Sequence, residues 1–141
     1  MHLFWHSFDL ALSRYSGRRA PVRPEADPVT AEAYSHEDIS FGFWAGDADT
    51  PFPAYYSYTA PEPPELAQRS LRPATARWKP GAGDSHMALL PYDHVRTAAD
   101  PRTTLLGFLQ SAYQAGATSA GWDVANLATD WCPFDPHEVP G

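Results

Sequence analysis

The sequence predicts an α+β domain, an antiparallel sheet of about five strands with one main C-terminal helix and short helical turns. Three observations carry that expectation. Apolar residues recur with period two in several short segments between residues 2 and 90, the spacing of strands with one buried face. A single stretch after Asp100-Pro101 recurs at three- and four-residue spacing, as a helix with one apolar stripe does. Finally, 15 prolines and 9 glycines in 141 residues demand many turns and short elements, which a helical bundle does not accommodate.

Residues 2–14 read as the first strand, with Phe4, His6, Phe8, Leu10 and Leu12 on a face turned to the core and Leu3, Trp5, Ser7, Asp9, Ala11 and Ser13 on a mixed face. It starts abruptly, with no cap or turn before it, and Ser16-Gly17 and a proline-rich loop over 19–24 end it. Asp27-Pro28 is an N-cap followed by proline at the first helical position, so 29–34 reads as one short helical turn. A second strand over 37–45 puts Ile39, Phe41 and Phe43 on one face and Asp38, Ser40, Gly42 and Trp44 on the other. The turn-rich 46–53 stretch leads into a third, 54–59, where Tyr55, Tyr56 and Tyr58 supply β-propensity, and the two pair as a hairpin. Beyond the 61–64 proline breaker, strands over 75–79 and 86–90 flank a Gly-Ala-Gly-Asp turn as a second hairpin. Pro91 and Asp100-Pro101 both read as helix starts. From the second, Leu105, Leu106, Leu109, Ala112 and Tyr113 mark the main helix, ending near Gly116 or Gly121. A short helical segment over 123–128 and a proline-punctuated tail over 131–141 complete a single domain spanning 1–130.

Composition narrows the function classes. At 43% apolar and 13% aromatic residues the chain is too hydrophobic for disorder. A net charge of −7 with one lysine, Lys79, argues against a nucleic-acid partner, whose phosphates would need basic neutralisation. The local cluster Arg14, Arg18, Arg19 and Arg23 reads as a solvated loop rather than an anion site. Cys132 stands alone, so the chain by itself forms neither a disulfide nor a cysteine zinc site. The N-terminus lacks a signal-peptide pattern and no apolar run reaches membrane-spanning length, so the expected location is the cytoplasm, with no membrane partner.

Five ordered stretches, HLFWHSFDLALSRYSGRRAP, DPVTAEAYSHEDISFGFW, YYSYTAPEP, HMALLPYDHVR and DPRTTLLGFLQSAYQAGA, resemble the bacterial family known as domain of unknown function 5996. The resemblance extends to about Trp122 and is to the C-terminal half of members roughly twice this length, which fits a chain beginning inside a strand. It implies that an N-terminal half is missing here. It implies no activity, no cofactor and no catalytic residues.

Each remaining candidate is weighed against an ordinary structural role. His6, His36 and His86 lie on or beside predicted strands, and histidine is the commonest general base and metal ligand. His6 shares its face with apolar residues and reads as a buried histidine; Ser35-His36-Glu37 is a weak catalytic motif, because adjacent strand residues point to opposite faces. No HExxH spacing, G-x-S-x-G elbow, G-x-G-x-x-G or Walker-type loop occurs, so no metal, cofactor or nucleotide is expected and the catalytic residues are unknown. Asp9, flanked by apolar neighbours, needs a partner if buried, and Arg14 or Arg77 is the expected one. Asp47 and Asp49 begin like a calcium loop but lack further acids, and read as a solvated turn.

Aromatic side chains on both strand faces are the strongest remaining signal. One helix covers one face of such a sheet, so the other is expected to dock against a partner: the missing N-terminal half or a second copy of the chain. The alternative is an enzyme of unknown reaction, or a small-molecule binder, with an aromatic pocket formed by Asp9, His36, His86, Tyr56, Tyr58 and Trp44.

Overall fold

A computed structural model describes residues 1–5, 8–21, 27–81 and 83–127. In it the first apolar segment does not run straight through. It folds back on itself as two strands, β1 (His2–Phe4) and β2 (Asp9–Arg19), paired antiparallel with Leu3 opposite Leu10 and Phe4 opposite Asp9. The break corrects the expected single strand over 2–14. It also corrects the parity assigned to it, because Phe4 now shares a face with Asp9 rather than with Leu10 and Leu12. Far from ending at Ser16-Gly17, β2 continues to Arg19 with an irregular register between Tyr15 and Arg19. His6, expected to be buried on this strand, and Ser7 lie outside the described residues, as do Arg23, Ala128, Cys132 and the 131–141 tail.

The remaining elements follow the predicted order, apart from a 3-10 turn at Leu66–Gln68 that the sequence did not indicate: α1 (Pro28–Ala33), β3 (His36–Trp44), β4 (Ala54–Ala60), β5 (Arg77–Pro80), β6 (His86–Pro91), α2 (Tyr92–Arg96), α3 (Pro101–Ser119) and α4 (Val124–Leu127). The strands form one six-stranded sheet in the order β1-β2-β3-β4-β6-β5, every pair antiparallel. Both expected hairpins are present. β3 pairs with β4, setting Gly42 opposite Tyr56, and β5 pairs with β6, setting Trp78 opposite Ala88. The split first segment supplies the strand beyond the expected five.

Helix starts are fixed as the sequence indicated. The Asp100 carboxylate accepts from the Thr103 N–H at 3.0 Å ahead of Pro101, and Asp27 accepts from Val29 and Thr30 ahead of Pro28. α3 then packs on the face carrying Ile39, Phe41, Ala88 and Leu90, joining them with Phe108, Ala112, Tyr113 and Ala117 in the main core. Gly116 is the point of closest approach, where a Cβ would collide with Thr59 and Ile39.

A clasp that no local pattern announced ties the C-terminal end of α3 to the sheet. The Glu37 Oε2 atom accepts from Ser16 Oγ and Arg18 Nε, each at 2.9 Å, and from Trp122 Nε1, also at 2.9 Å. The same Arg18 guanidinium donates to the Ala120 carbonyl at 2.7 Å, satisfying a free end of the helix.

The opposite sheet face carries a second, smaller apolar cluster of Ala54, Tyr56 and Leu89, against which Trp44, Phe52, Tyr58 and Met87 pack. α3 contacts β3 and β4, whereas β1 and β2 lie outboard. Leu10 and Leu12, expected to face the core, point to the α3 side of the sheet but remain 41% and 48% exposed.

Candidate functional site

The face away from α3 brings together four of the six residues singled out from the sequence. Cross-strand register places Asp9, Ser13, Asp38, Ser40, Gly42 and Trp44 on the same face as Tyr56 and Tyr58. The Tyr56 ring lies across Gly42, where any Cβ would overlap it. That lets its hydroxyl reach over β3 to donate to Asp9 Oδ2 at 2.7 Å. Tyr58 stacks on Tyr56, centroids 6.2 Å apart and planes 8° from parallel, and Trp44 meets Tyr56 edge-on at 6.4 Å.

A hydroxyl network runs alongside. Ser40 Oγ lies 2.7 Å from Ser13 Oγ and donates to Asp38 Oδ2 at 2.8 Å, while the Tyr58 hydroxyl has Ser40 and Tyr34 as hydrogen-bond neighbours. Asp38 Oδ1 and Asp9 Oδ1 are buried and accept no bond from any described residue. Burial raises the Asp38 carboxyl above its ordinary value, opposed by the Ser40 hydrogen bond. Burial also pushes Tyr58 up to about 12, against the Ser40 bond that lowers it. Tyr56 is raised further, first by burial and then by the Asp9 carboxylate it contacts. Both phenols therefore stay protonated at neutral pH and act as hydrogen-bond donors, not bases.

The other two candidates stand apart. His36 begins β3 opposite Arg19, with Nδ1 3.1 Å from Ser35 Oγ, at the α1 end of this face. His86 has the parity of Ala88 and Leu90, on the α3 side, and its Nδ1 lies 2.8 Å from Glu62 Oε1. Asp9, His36 and His86 thus do not converge. Nor does Asp9 pair with arginine: Arg14 is five residues on, hence on the opposite face, with its guanidinium 5.0 Å from the Tyr113 ring centroid. Arg77 is on β5, separated from β2 by three intervening strands, β3, β4 and β6. The Asp47 turn behaves as expected, its carboxylate accepting from the Asp49 and Thr50 amides at 2.9 and 2.8 Å. Among the described residues no group of three or more His, Cys, Asp or Glu side chains is placed to hold a metal ion.

Sequence reasoning passed over Ser13, Asp38 and Ser40. The alternation of β3 did give the face of Asp38 and Ser40; the hydrogen bonds that join them to Ser13, and the Tyr58 ring opposite Ser40, depend on how β2, β3 and β4 pair.

A second surface adjoins this one. Among the described residues twelve large hydrophobic side chains are exposed, and eight lie in residues 1–15: Met1 and seven on β1, β2 and the turn between them. Trp5 and Phe8, 77% and 62% exposed, form an edge-to-face pair at 6.1 Å. β1 covers β2 only at residues 9–11, so among the described residues the outer edge of β2 from Leu12 to Arg19 has no strand partner.

Across residues 1–129 the chain matches the model of a family of unknown function, DUF5996. The chain belongs to the DUF5996 family. The match takes in all of the sheet and helices just described, and so runs past the Trp122 limit of the expected resemblance. It carries neither the expected assignment to a C-terminal half nor a bacterial source. No curated protein and no solved structure matches this DUF5996 chain. No helix among its described residues is long and apolar enough to cross a membrane.

Proposed function

We propose that the chain is a protein-interaction module whose β1–β2 edge docks another polypeptide. One observation carries the reading: the exposed large apolar side chains concentrate on the same hairpin whose outer edge has no strand partner among the described residues. The occupant is an apolar, acidic segment that adds to β2 as a strand. Charge supports this, because residues 1–24 hold four of the ten basic residues and only one of the seventeen acidic ones. A second copy of the chain, with sixteen of its seventeen acidic residues beyond residue 24, offers such an acidic surface.

Light scattering after size-exclusion chromatography tests it. The wild-type chain is expected to self-associate, and the Leu10→Lys/Leu12→Lys variant to elute as a folded monomer. A wild-type monomer that binds the apolar dye anilinonaphthalene sulfonate at this edge would assign the occupant to another protein. A monomer that binds no dye overturns the reading.

A second reading is small-molecule binding on the Tyr56–Tyr58–Trp44 face, favoured by the buried Asp9 and Asp38 oxygens that accept no bond from a described residue and suit a ligand carrying an ammonium or other donor. Its check is loss of saturable amine binding in Asp9→Asn, with circular dichroism unchanged.

A further inference from the structure

We propose that the groove between the 3-10 turn and α3 binds a small organic oxyanion, gripped by Arg69 and Arg72. The groove has a volume of about 340 Å³ and is also lined by Ser70, Ser111, Gln114 and Thr118. This is at the small end of the range for ligand sites and larger than an inorganic ion needs. None of the lining side chains is a carboxylate, so in a chain of net charge −7 this is a locally cationic, donor-rich recess.

Arg69 and Arg72 are the two arginines that line this groove. Arg18 and Arg96 are paired with Glu37 and Asp93, whereas no described carboxylate lies within ion-pair distance of Arg69 or Arg72. Their backbones are nevertheless anchored. Ser111 Oγ accepts from the Arg72 N–H at 2.9 Å, and the Trp78 indole donates to the Arg69 carbonyl at 2.8 Å. Arg69 Nε donates to Ser119 Oγ at 3.0 Å, which ties the guanidinium to α3 through one of its five N–H donors. A guanidinium oriented by Ser119 and a second on the same groove, with hydroxyl and amide groups in the lining, match a phosphate or carboxylate group, which takes two parallel hydrogen bonds from an arginine. The hydroxyls of Ser70 and Thr118 and the Gln114 amide then meet the polar body of the ligand.

The test is an NMR titration of the full-length, isotope-labelled chain with inorganic phosphate and, separately, with citrate, both against chloride at matched ionic strength. Saturable shifts of the Arg72, Ser111 and Thr118 amides and the Gln114 side-chain amide are expected with at least one oxyanion and not with chloride. Saturation by phosphate assigns the ligand to the phosphate class, and saturation by citrate alone to the carboxylates. Arg69→Gln/Arg72→Gln should weaken the apparent affinity about tenfold or more. Arg72→Gln alone, at a side chain bonded to no described residue, keeps the comparison valid if loss of the Arg69–Ser119 contact disturbs the fold. Linear, unsaturable shifts with both oxyanions, shifts equal to those with chloride, or an affinity unchanged in Arg72→Gln overturn the assignment.

Discussion

Asp38 is buried on the sheet with one carboxylate oxygen bonded to Ser40 and the other bonded to no described group. Because its folded-state pKa lies above the ordinary value of 3.8, the native chain keeps a proton that the unfolded chain has released. The stability linked to this group therefore falls as pH rises from about 3.8 through the raised folded value, and the penalty is complete above it. Asp38→Asn should be at least as stable as wild type at neutral pH, and the difference should shrink as the pH falls towards that of an unburied carboxylic acid. Thermal melts of both proteins across that range measure it. Tyr56 poses the complementary case: Tyr56→Phe removes the only described donor to Asp9 and is expected to destabilise by about 1–3 kcal/mol in denaturant unfolding. Gly42→Ala should act on the same contact from the other side, by lifting the Tyr56 ring off β3. Parity along β3 revealed that Asp38, Ser40 and Trp44 share a face. It said nothing of which rings cover them, since that depends on a glycine opposite a tyrosine on the next strand.

Elements were the most legible part of this chain. Asp27-Pro28 and Asp100-Pro101 each combine a side-chain acceptor with a residue whose missing N–H would have been unpaired anyway, so both helix starts followed from local chemistry alone. Their hydrogen bonds to Thr30 and Thr103 hold both carboxyls below the ordinary range. Sign matters here: the stability they contribute is present above the unfolded value and is lost as pH falls through the lowered folded one, opposite to Asp38. The first strand was misread because period two continued across Trp5 to Phe8, and alternation records faces without recording reversals of direction. The clasp at the end of α3 lay beyond local pattern for another reason. Its members, Ser16, Arg18, Glu37 and Trp122, come from three distant segments. Glu37→Ala leaves three donors without their acceptor and is expected to cost about 1–3 kcal/mol, read as a shift of the denaturant midpoint with unchanged slope. Gly116→Ala should cost a similar amount, about 1–3 kcal/mol, by forcing α3 away from Ile39 and Thr59.

Across the described residues the molecule has two apolar sheet faces and one long helix to cover them. α3 fills the centre of one face, the Tyr56 cluster closes part of the other, and the outboard hairpin is left with Trp5, Phe8, Leu10 and Leu12 in water. If association at this basic edge is steered by an acidic partner surface, it should weaken as salt is raised from about 0.05 to 0.5 M, because screening shortens the reach of exposed charges. Sedimentation velocity at the two salt concentrations reads this directly. An apolar contact without charge complementarity would hold or tighten instead.

The linear chain settled the α+β character, the helix starts, the two hairpins and the alternation of β3 and β4, because each rests on contacts between residues close in sequence. Folding in three dimensions determined the sixth strand, the separation of His86 from Asp9, the Arg18–Glu37–Trp122 clasp and the uncovered hairpin. These depend on which distant segments meet, and on how far one helix extends across a sheet wider than itself.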